Sequence, residues 1–532
     1  MPEVDFLVRW PDGTQQHCVS PSRSIEAVLS PGTSYPVDEF VRRSTQALAL
    51  GSERVRQKYG FACTAAAAQA DDLQQQAARF AGQDPGVVTV EQMGMRVRPQ
   101  APRELGGHCS VAIVGGGQAG LSASWHLTQA GVDHVVLEAH ATGHAWRNER
   151  WDNFCLVTPN WQCALPGFDY PGDDPYGFMV KDEILGYLAA FRRSFDPPVV
   201  EGVRVTRVGR DTGDGGPFTL ETTAGTITAD EVIVAVGGYH VPKVLPIALS
   251  LPPTINQVHS SAYKNADVLP DGAVLVVGSG QSGAQIAEDL HLSGRQVHLA
   301  VGTAPRVSRF HRGRDVVAWL HDMGHYDLSI DDHPEGTGAR REANHYVTGR
   351  DGGRDIDLRR FAQEGMQLHG RLASIDGTTL TFADDLAANL DAADATLNRI
   401  NAGIDRWIAG NGVDAPPAEP YEPTWQPAAE EPLAVDLVEA GITTIVWATG
   451  FRSDWSWVDL PWLDDTGYPQ HERGITSIDG LSVLGLPWLH TWGSGRFASI
   501  ARDAEFVTRQ VVERVGAVAA SDAPRARAAH AA

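Results

Sequence analysis

The residues best suited to chemistry in this sequence are two glycine triplets. In the run from Val111 to Ser122, Gly115, Gly117 and Gly120 have GxGxxG spacing, directly after an apolar stretch and at the start of a helical pattern opened by Gln118 and Ala119. In such a turn the first glycine permits the sharp bend and the second lets the backbone approach a pyrophosphate. The third allows helix and strand to pack closely, with the helix N-terminus facing the phosphates. The following strand, His134 to Glu138, ends in a carboxylate 18 residues after Gly120, which places Glu138 to accept hydrogen bonds from ribose hydroxyls.

The run from Ala273 to Gly283 repeats the device with Gly278, Gly280 and Gly283, and with Gln281 and Ser282 at the helix start. Here the next strand, Gln296 to Val301, ends without an acid and runs into Arg306 and Arg309. A carboxylate would repel a 2′-phosphate, whereas either arginine would pair with it, so the second site reads as NADP(H) rather than NAD(H). The alternative for the two arginines is an ordinary solvated loop. Two such fingerprints about 160 residues apart in one chain suggest that one nucleotide cofactor is reduced by the other, with FAD and NADPH the economical pair.

The elements that must position these turns follow from pattern. From Cys109 onward, short Val/Ile-rich strands alternate with helical periodicity, which points to βαβ units and parallel sheets. The expected fold is α/β, with two Rossmann-like dinucleotide-binding domains, a small α+β N-terminal module and a helical insertion. Residues 1–95 form the module. Phe6 to Trp10 and a strand near His17 to Val19 flank the turn signal Pro11-Asp12-Gly13, and a helix runs from Val37 past Val55, followed by an Ala/Gln-rich one. Residues 83–107 read as connecting chain, with 96–107 the linker proper. The FAD domain is assigned to 108–250 and 433–532, the NADP domain to 251–382, and the insertion to 383–432. Within it Leu386, Leu390, Ala393, Leu397, Ile400, Ile404 and Trp407 make one apolar helical stripe, packed on the main body or used in a homodimer contact. Six prolines in residues 411–432 then predict an extended strap.

Composition excludes several classes. The chain has 532 residues, 42% hydrophobic and 20% charged, enough to bury large cores over several domains. Its net charge of −23, without a broad basic stripe, argues against nucleic acid. Five cysteines (Cys18, Cys63, Cys109, Cys155, Cys163) with no CxxC spacing argue for a reducing compartment. The N-terminus has no signal-peptide pattern and no apolar run is membrane-length, so a cytoplasmic protein without a membrane partner or a metal is expected.

Residues 108–515 resemble the class B flavoprotein monooxygenases, the two-dinucleotide-domain group that contains FMO-type oxygenases, YUCCA-type enzymes and Baeyer–Villiger monooxygenases. The resemblance rests on the two glycine turns and on Gly143-His-Ala-Trp146-Arg147, similar to the family's GxxWR segment. It extends through Trp151, Leu156, Thr158-Pro-Asn160 and Leu165-Pro-Gly167. Val234 to Pro242 and Trp447-Ala-Thr449-Gly450-Phe451 sit where the family has its two ATG-type turns, and His259-Ser260-x-x-Tyr263 matches the later half of the FxGxxxHxxxW/Y fingerprint. Pro253 and Ile255 occupy that fingerprint's Phe and Gly positions, which moves the reading from Baeyer–Villiger enzymes toward FMO-like or YUCCA-like ones. Arg306, Arg312-Gly-Arg-Asp315 with Trp319, and Gly485-Leu-Pro-Trp488 further resemble a bacterial subgroup of flavin-dependent oxidoreductases. The N-terminal module, through Val8 to Gly13, Pro31 to Phe40 and Val55 to Cys63, resembles a small family of nitrogen-starvation-response proteins encoded, in relatives, beside such flavoproteins.

The resemblance implies that NADPH reduces FAD and that a C4a-hydroperoxyflavin, shielded from water, passes one oxygen atom of O₂ to a small, nitrogen-containing substrate. It implies cofactor-side roles for Trp146, Arg147, Thr449 and Gly450, and offers two candidate catalytic positions. Asn160 falls near the reactive edge of the flavin, with a loop-structuring role as the alternative; His259 orients an interdomain linker rather than acting as a base. Three rivals remain. A disulfide reductase needs two thiols two to four residues apart, whereas Cys155 and Cys163 have seven residues between them. The others are an NADPH oxidase or amine-oxidising dehydrogenase, and a redox-sensing protein whose N-terminal module docks a partner.

Overall fold

The computed structural model describes residues 4–20, 23–59, 69–70, 73–74, 76–77, 79–80, 86–95, 105–210, 216–430 and 432–529. They form two compact units, residues 1–101 and 102–532.

In the first unit, Val4–Arg9 and Gln15–Ser20 make the expected hairpin. Gly13 adopts φ +84°, and the Asp12 carboxylate accepts hydrogen bonds from the Thr14 amide at 3.0 Å and hydroxyl at 2.6 Å. The helix Val37–Tyr59 follows the short strand Ser34–Pro36. The connecting-chain reading of residues 83–95 is corrected. Val87–Met95 is a strand between Val4–Arg9 and Ser34–Pro36 in a four-stranded antiparallel sheet. Its Val88 and Val90 enter the core by strict alternation, and that short β-branched run outweighs the neighbouring Gly and Pro signals. Trp10 stacks on Phe80 and meets Phe40 edge-on in this core. The Ala/Gln-rich helix and the linker at 96–107 fall largely outside the described residues.

The second unit is α/β and holds two sheets that are parallel at their centres. In the first, Leu481–Val483, Gly225–Val234, His108–Val114, His134–Glu138 and Val199–Glu201 lie side by side in parallel, with antiparallel pieces added at the edges. In the second, Asn256–His259, Ile442–Trp447, Ala273–Val277, Val297–Ala300 and Gln367–His369 are all parallel. Every residue of Ala273–Val277 is buried, as a strand covered on both faces requires. The assignment of residues 433–532 to the first nucleotide domain is therefore corrected: Ile442–Trp447 sits beside Ala273–Val277 at the heart of the second sheet. The chain returns to the first domain only at Phe451–Arg452, which pairs antiparallel with the outgoing Val241–Pro242.

The helix Leu386–Asn411 leaves and rejoins a three-stranded antiparallel sheet of Leu372–Asp376, Thr379–Phe382 and Ala434–Asp436. Its stripe is buried within the unit, Ile404 and Ile408 against Val316 and Trp319, so packing on the main body accounts for it. The proline-rich strap is tied to this helix by Asn398, whose side chain donates to Tyr421 O and accepts from Tyr421 N. No helix among the described residues is long and apolar enough to cross a membrane.

Because the first unit carries its own sheet and core, a chain beginning at Arg103 is expected to remain soluble, with an unfolding transition at the temperature of the corresponding transition of the full chain. Insoluble product, or a markedly lower midpoint in calorimetry, would show that the first unit completes the core of the second.

Candidate functional site

Each glycine turn divides its work among three positions. After the strand His108–Val114, Gly115 has φ +108°, and a Cβ there would lie 2.6 Å from Ala235 O; at Gly120 it would lie 1.8 Å from Gly115 O. Packing thus demands glycine at both. Packing demands nothing at Gly117, where a Cβ would meet no atom within 4 Å and which caps the helix Gln118–Gln129 without a side-chain hydrogen bond. The same holds after Ala273–Val277. Gly278 has φ +103° and would clash with Ala448 O, Gly283 would clash with Gly278 O at 1.9 Å, and Gly280 faces open space at an uncapped helix start. In both turns the middle glycine leaves bare a cradle of helix N–H groups that a side chain would fill. That cradle fits the pyrophosphate of a dinucleotide.

Around the first turn, Glu138 accepts from Gly116 N at 2.7 Å and from His140 N at 2.8 Å. Each carboxylate oxygen keeps a lone pair, enough for ribose hydroxyls. Gln118 donates to Gly495 O and accepts from Trp146 Nε1, both at 3.2 Å, and Trp146 stacks on Phe497. Ala119 is buried against the Gly485 turn. The structure brings Gly115, Gly117, Gln118, Ala119, Gly120, Glu138 and Trp146 together. It leaves Arg147 exposed on the outer side of the short helix His144–Asn148, so the inward arginine of this segment is Arg150.

Around the second turn, Gln281 donates to Val347 O at 2.7 Å, while its Oε1 is buried and accepts no hydrogen bond, an acceptor left for a bound group. Ser282 is half-buried on the same first turn. Thr449 donates to Lys243 O, and Gly450, with φ +83°, offers its carbonyl to His259. These two residues hold together the two chain segments that cross between the domains.

The ligand readings of Arg306 and Arg309 and the catalytic reading of Asn160 are corrected, while His259 lies at a joint between chain segments. Arg306 and Arg309 do not face a 2′-phosphate: they are 2% and 1% exposed. Arg306 pairs with Asp394 at 3.0 Å and Asp357 at 3.4 Å and lies over the Tyr421 ring; Arg309 pairs with Asp315 and donates to Val157 O. Their acidic partners come from elements that the local sequence around the strand end does not reveal. The strand still ends without a carboxylate, at Gly302 and the exposed Thr303. Asn160 structures its own loop, donating to Asp174 O and accepting from Met179 N at 3.0 Å, the alternative reading of this residue. His259 donates from Nε2 to Gly450 O at 3.0 Å and accepts at Nδ1 from Ser261. Burial lowers its pKa, and a neutral ring with both nitrogens engaged is a joint, not a base.

Cys155 and Cys163 are buried, and burial pushes both thiols up to about 12. Neither offers a thiolate, so these two cysteines lack the chemistry of a redox-active pair as well as its spacing. The sequence reading missed Arg150, whose guanidinium lies over the rings of Trp146 and Phe154. Its one signal was Arg150 standing four residues after Trp146.

Residues 112–323 match the family described as pyridine nucleotide-disulphide oxidoreductase, and residues 5–93 match the nitrogen starvation-induced protein NitG. The chain is 30% identical over 406 residues to the "Uncharacterized oxidoreductase CzcO-like" of Geobacillus kaustophilus (strain HTA426), covering 76% of this chain and 98% of the relative. This chain belongs to that CzcO-like oxidoreductase family. It is an enzyme, an oxidoreductase with FAD and NADPH as cofactors, carrying an N-terminal NitG-type domain. It is also 31% identical over 193 residues to the indole-3-pyruvate monooxygenase YUCCA4 of Oryza sativa subsp. japonica, covering 34% of this chain and 44% of that one. In fold it is similar to the flavin-containing monooxygenase of Stenotrophomonas maltophilia, with TM-score 0.53 and 20% identity over 76% of this chain and 99% of that one.

Two outcomes follow from this geometry. Gly117→Trp fills an open cradle without touching the core, so the variant is expected to fold with an unchanged melting temperature but purify without flavin; full FAD occupancy would remove the first turn as the flavin site. Arg306→Ala leaves Asp357 without its ion pair and Asp394 with Arg359 alone, and is expected to cost about 1–3 kcal/mol of stability in denaturant titrations. The preference for NADPH over NADH should stay as in the parent; a lost preference at unchanged stability would restore the phosphate role.

Proposed function

We propose that the chain is a coupled monooxygenase: one oxygen atom of O₂ enters a small, nitrogen-containing substrate, the other leaves as water, and one NADPH is consumed. The observation that carries the reading is the pairing of two open dinucleotide cradles with thiols that burial keeps protonated. That pairing leaves no acceptor within the described residues for the electrons. FAD, when bound, supplies the redox chemistry between NADPH and oxygen.

The chain's own residues position and shield. The bare N–H groups beside Gly117 and Gly280 hold the pyrophosphates, and Glu138 orients a ribose while bracing the turn through Gly116. Trp146, stacked on Phe497 and fixed by Gln118, makes an apolar wall beside the first turn. His259 stays neutral and keeps the crossing segments in register through Gly450. The similarity to YUCCA4 over the shared segment supports oxygen insertion, and the NitG-type module supports nitrogen in the substrate. We place the enzyme in the cytoplasm, in line with its five cysteines and lack of CxxC spacing.

Labelled oxygen tests the reading. With ¹⁸O₂ and a panel of amines, amino acids and nitriles, one ¹⁸O atom is expected in product for each NADPH oxidised. Hydrogen peroxide as the sole oxygen product with every compound would replace oxygenation with oxidase activity.

A further inference from the structure

The helix Gln281–Leu292 begins at the second cradle, and its buried face carries Gln285 and Asp289, 5% and 3% exposed. Its first turn is pressed onto its own strand, since a Cβ at Gly283 would lie 1.9 Å from Gly278 O. Further along it meets the first nucleotide domain. Gln285 donates to Cys155 O at 3.4 Å, and Asn153 donates to Asp289 Oδ1 at 2.9 Å. The second domain holds the same first-domain segment at two more points. Arg309 donates to Val157 O at 2.9 Å, and Gly349 comes so near that a Cβ there would stand 2.0 Å from Leu156 O.

Asp289 differs from the other contacts in gathering donors from three separate segments. Asn153 comes from the first domain. Tyr263, whose hydroxyl donates to Oδ2 at 2.8 Å, follows the crossing at His259, and Arg350 donates to Oδ1 at 2.9 Å. Burial and the adjacent Asp289 charge raise the pKa of the Tyr263 hydroxyl, which therefore stays a donor. Hydrogen bonds to an ionised acceptor are shorter and stronger than neutral ones. The carboxylate thus ties the helix that bears the second cradle to the domain that bears the first. It does so about 12 Å along the helix axis from Gln281, away from any bound phosphate.

We propose that Asp289 is a positioning residue for hydride passage from NADPH to FAD: by fixing the second cradle against the first domain it sets the approach of the two cofactors without touching either. The hydride leaves NADPH with its electron pair, and NADP⁺ and reduced FAD are the products. Reacting atoms must stand about 3–3.5 Å apart, and a displacement of about 1 Å costs about a hundredfold in rate. A carboxylate that governs the angle between two domains therefore governs that rate. The proposal rests on the two cofactors and not on oxygen insertion, so it stands or falls separately from the monooxygenase reading.

The test is anaerobic stopped-flow reduction of the FAD-loaded enzyme by NADPH, with the limiting rate at saturating NADPH separated from the concentration that gives half of it. In Asp289→Ala the limiting rate is expected to fall at least about tenfold, while FAD content stays full and the Kd of NADP⁺ stays within about twofold of the parent. The long-wavelength charge-transfer absorbance of dithionite-reduced enzyme with NADP⁺, which reports stacking of the two rings, is expected to fall with it. Asp289→Asn keeps one acceptor oxygen and is expected to recover part of the loss. Tyr263→Phe and Asn153→Ala each remove one donor and are expected to lower the limiting rate about threefold or more. A merely structural carboxylate would lower the melting temperature and leave both the limiting rate per bound flavin and the absorbance unchanged; that result overturns the proposal. So does a loss explained wholly by weaker NADP⁺ binding. Should Asp289→Ala fail to fold, Tyr263→Phe and Asn153→Ala decide by the same criteria.

Discussion

The closest approach in each nucleotide unit is backbone against backbone. A single methyl group at Gly120 would sit 1.8 Å from Gly115 O, and at Gly283 it would sit 1.9 Å from Gly278 O. Only with both positions bare can the helix start press onto the end of its strand, and only then do its first N–H groups converge on one point outside the sheet. Everything placed near the two turns depends on that approach. Gly116 N reaches Glu138 because the turn is tight, and Gln118 reaches both Trp146 and Gly495 because it is the first residue of a helix held so near the strand. Glu138 thereby has two jobs, bracing the turn with one face of its carboxylate and offering the rest outward.

A second set of constraints joins the two nucleotide domains, and it explains a fingerprint that motif comparison alone leaves as letters. His259 ties its strand to Gly450, and Tyr263, four residues on, donates to Asp289 at 2.8 Å. Asp289 also receives Asn153 from the first domain and Arg350, both at 2.9 Å. The spacing of His259 and the Tyr263 hydroxyl is thus two joints, one at the crossing and one at a buried carboxylate. A buried acid with three partners adds little net stability over an apolar cluster of the same shape. Losing one partner is expensive, and the network therefore fixes one relative orientation of the domains.

The turns, the ribose acid and the alternation of strands and helices were legible because they are local: spacing and burial within about thirty residues determine them. The same was true of the helix Leu386–Asn411, whose stripe is written in one continuous segment. What was not legible depended on distant partners. Arg306 looked like a phosphate ligand because Asp394 lies 88 residues away, and Asn160 looked available because Met179 and Asp174 are brought to it only by the folded loop. Ile442–Trp447 was assigned to the wrong domain because a central parallel strand carries no mark of which sheet it enters; its two neighbours, Asn256–His259 and Ala273–Val277, decide that. Val87–Met95 shows the converse, a strand hidden by glycines and prolines around it.

What remains around the first turn after these assignments limits the protein's own share of the chemistry. The thiols nearest in sequence to the Trp146 segment are protonated, Asn160 is committed to its loop, and His259 is neutral with both nitrogens engaged. The side chains that the structure does gather beside the first turn, Gln118, Trp146 and Phe497, orient and shield but do not accept electrons. Catalysis in such a site comes from holding cofactor and substrate in reacting geometry and from keeping water out, with the electron acceptor arriving from solution. On that footing, the chain's share lies in the two glycine turns and in the rings of Trp146 and Phe497 held beside the first of them, rather than in any residue that takes part in bond making.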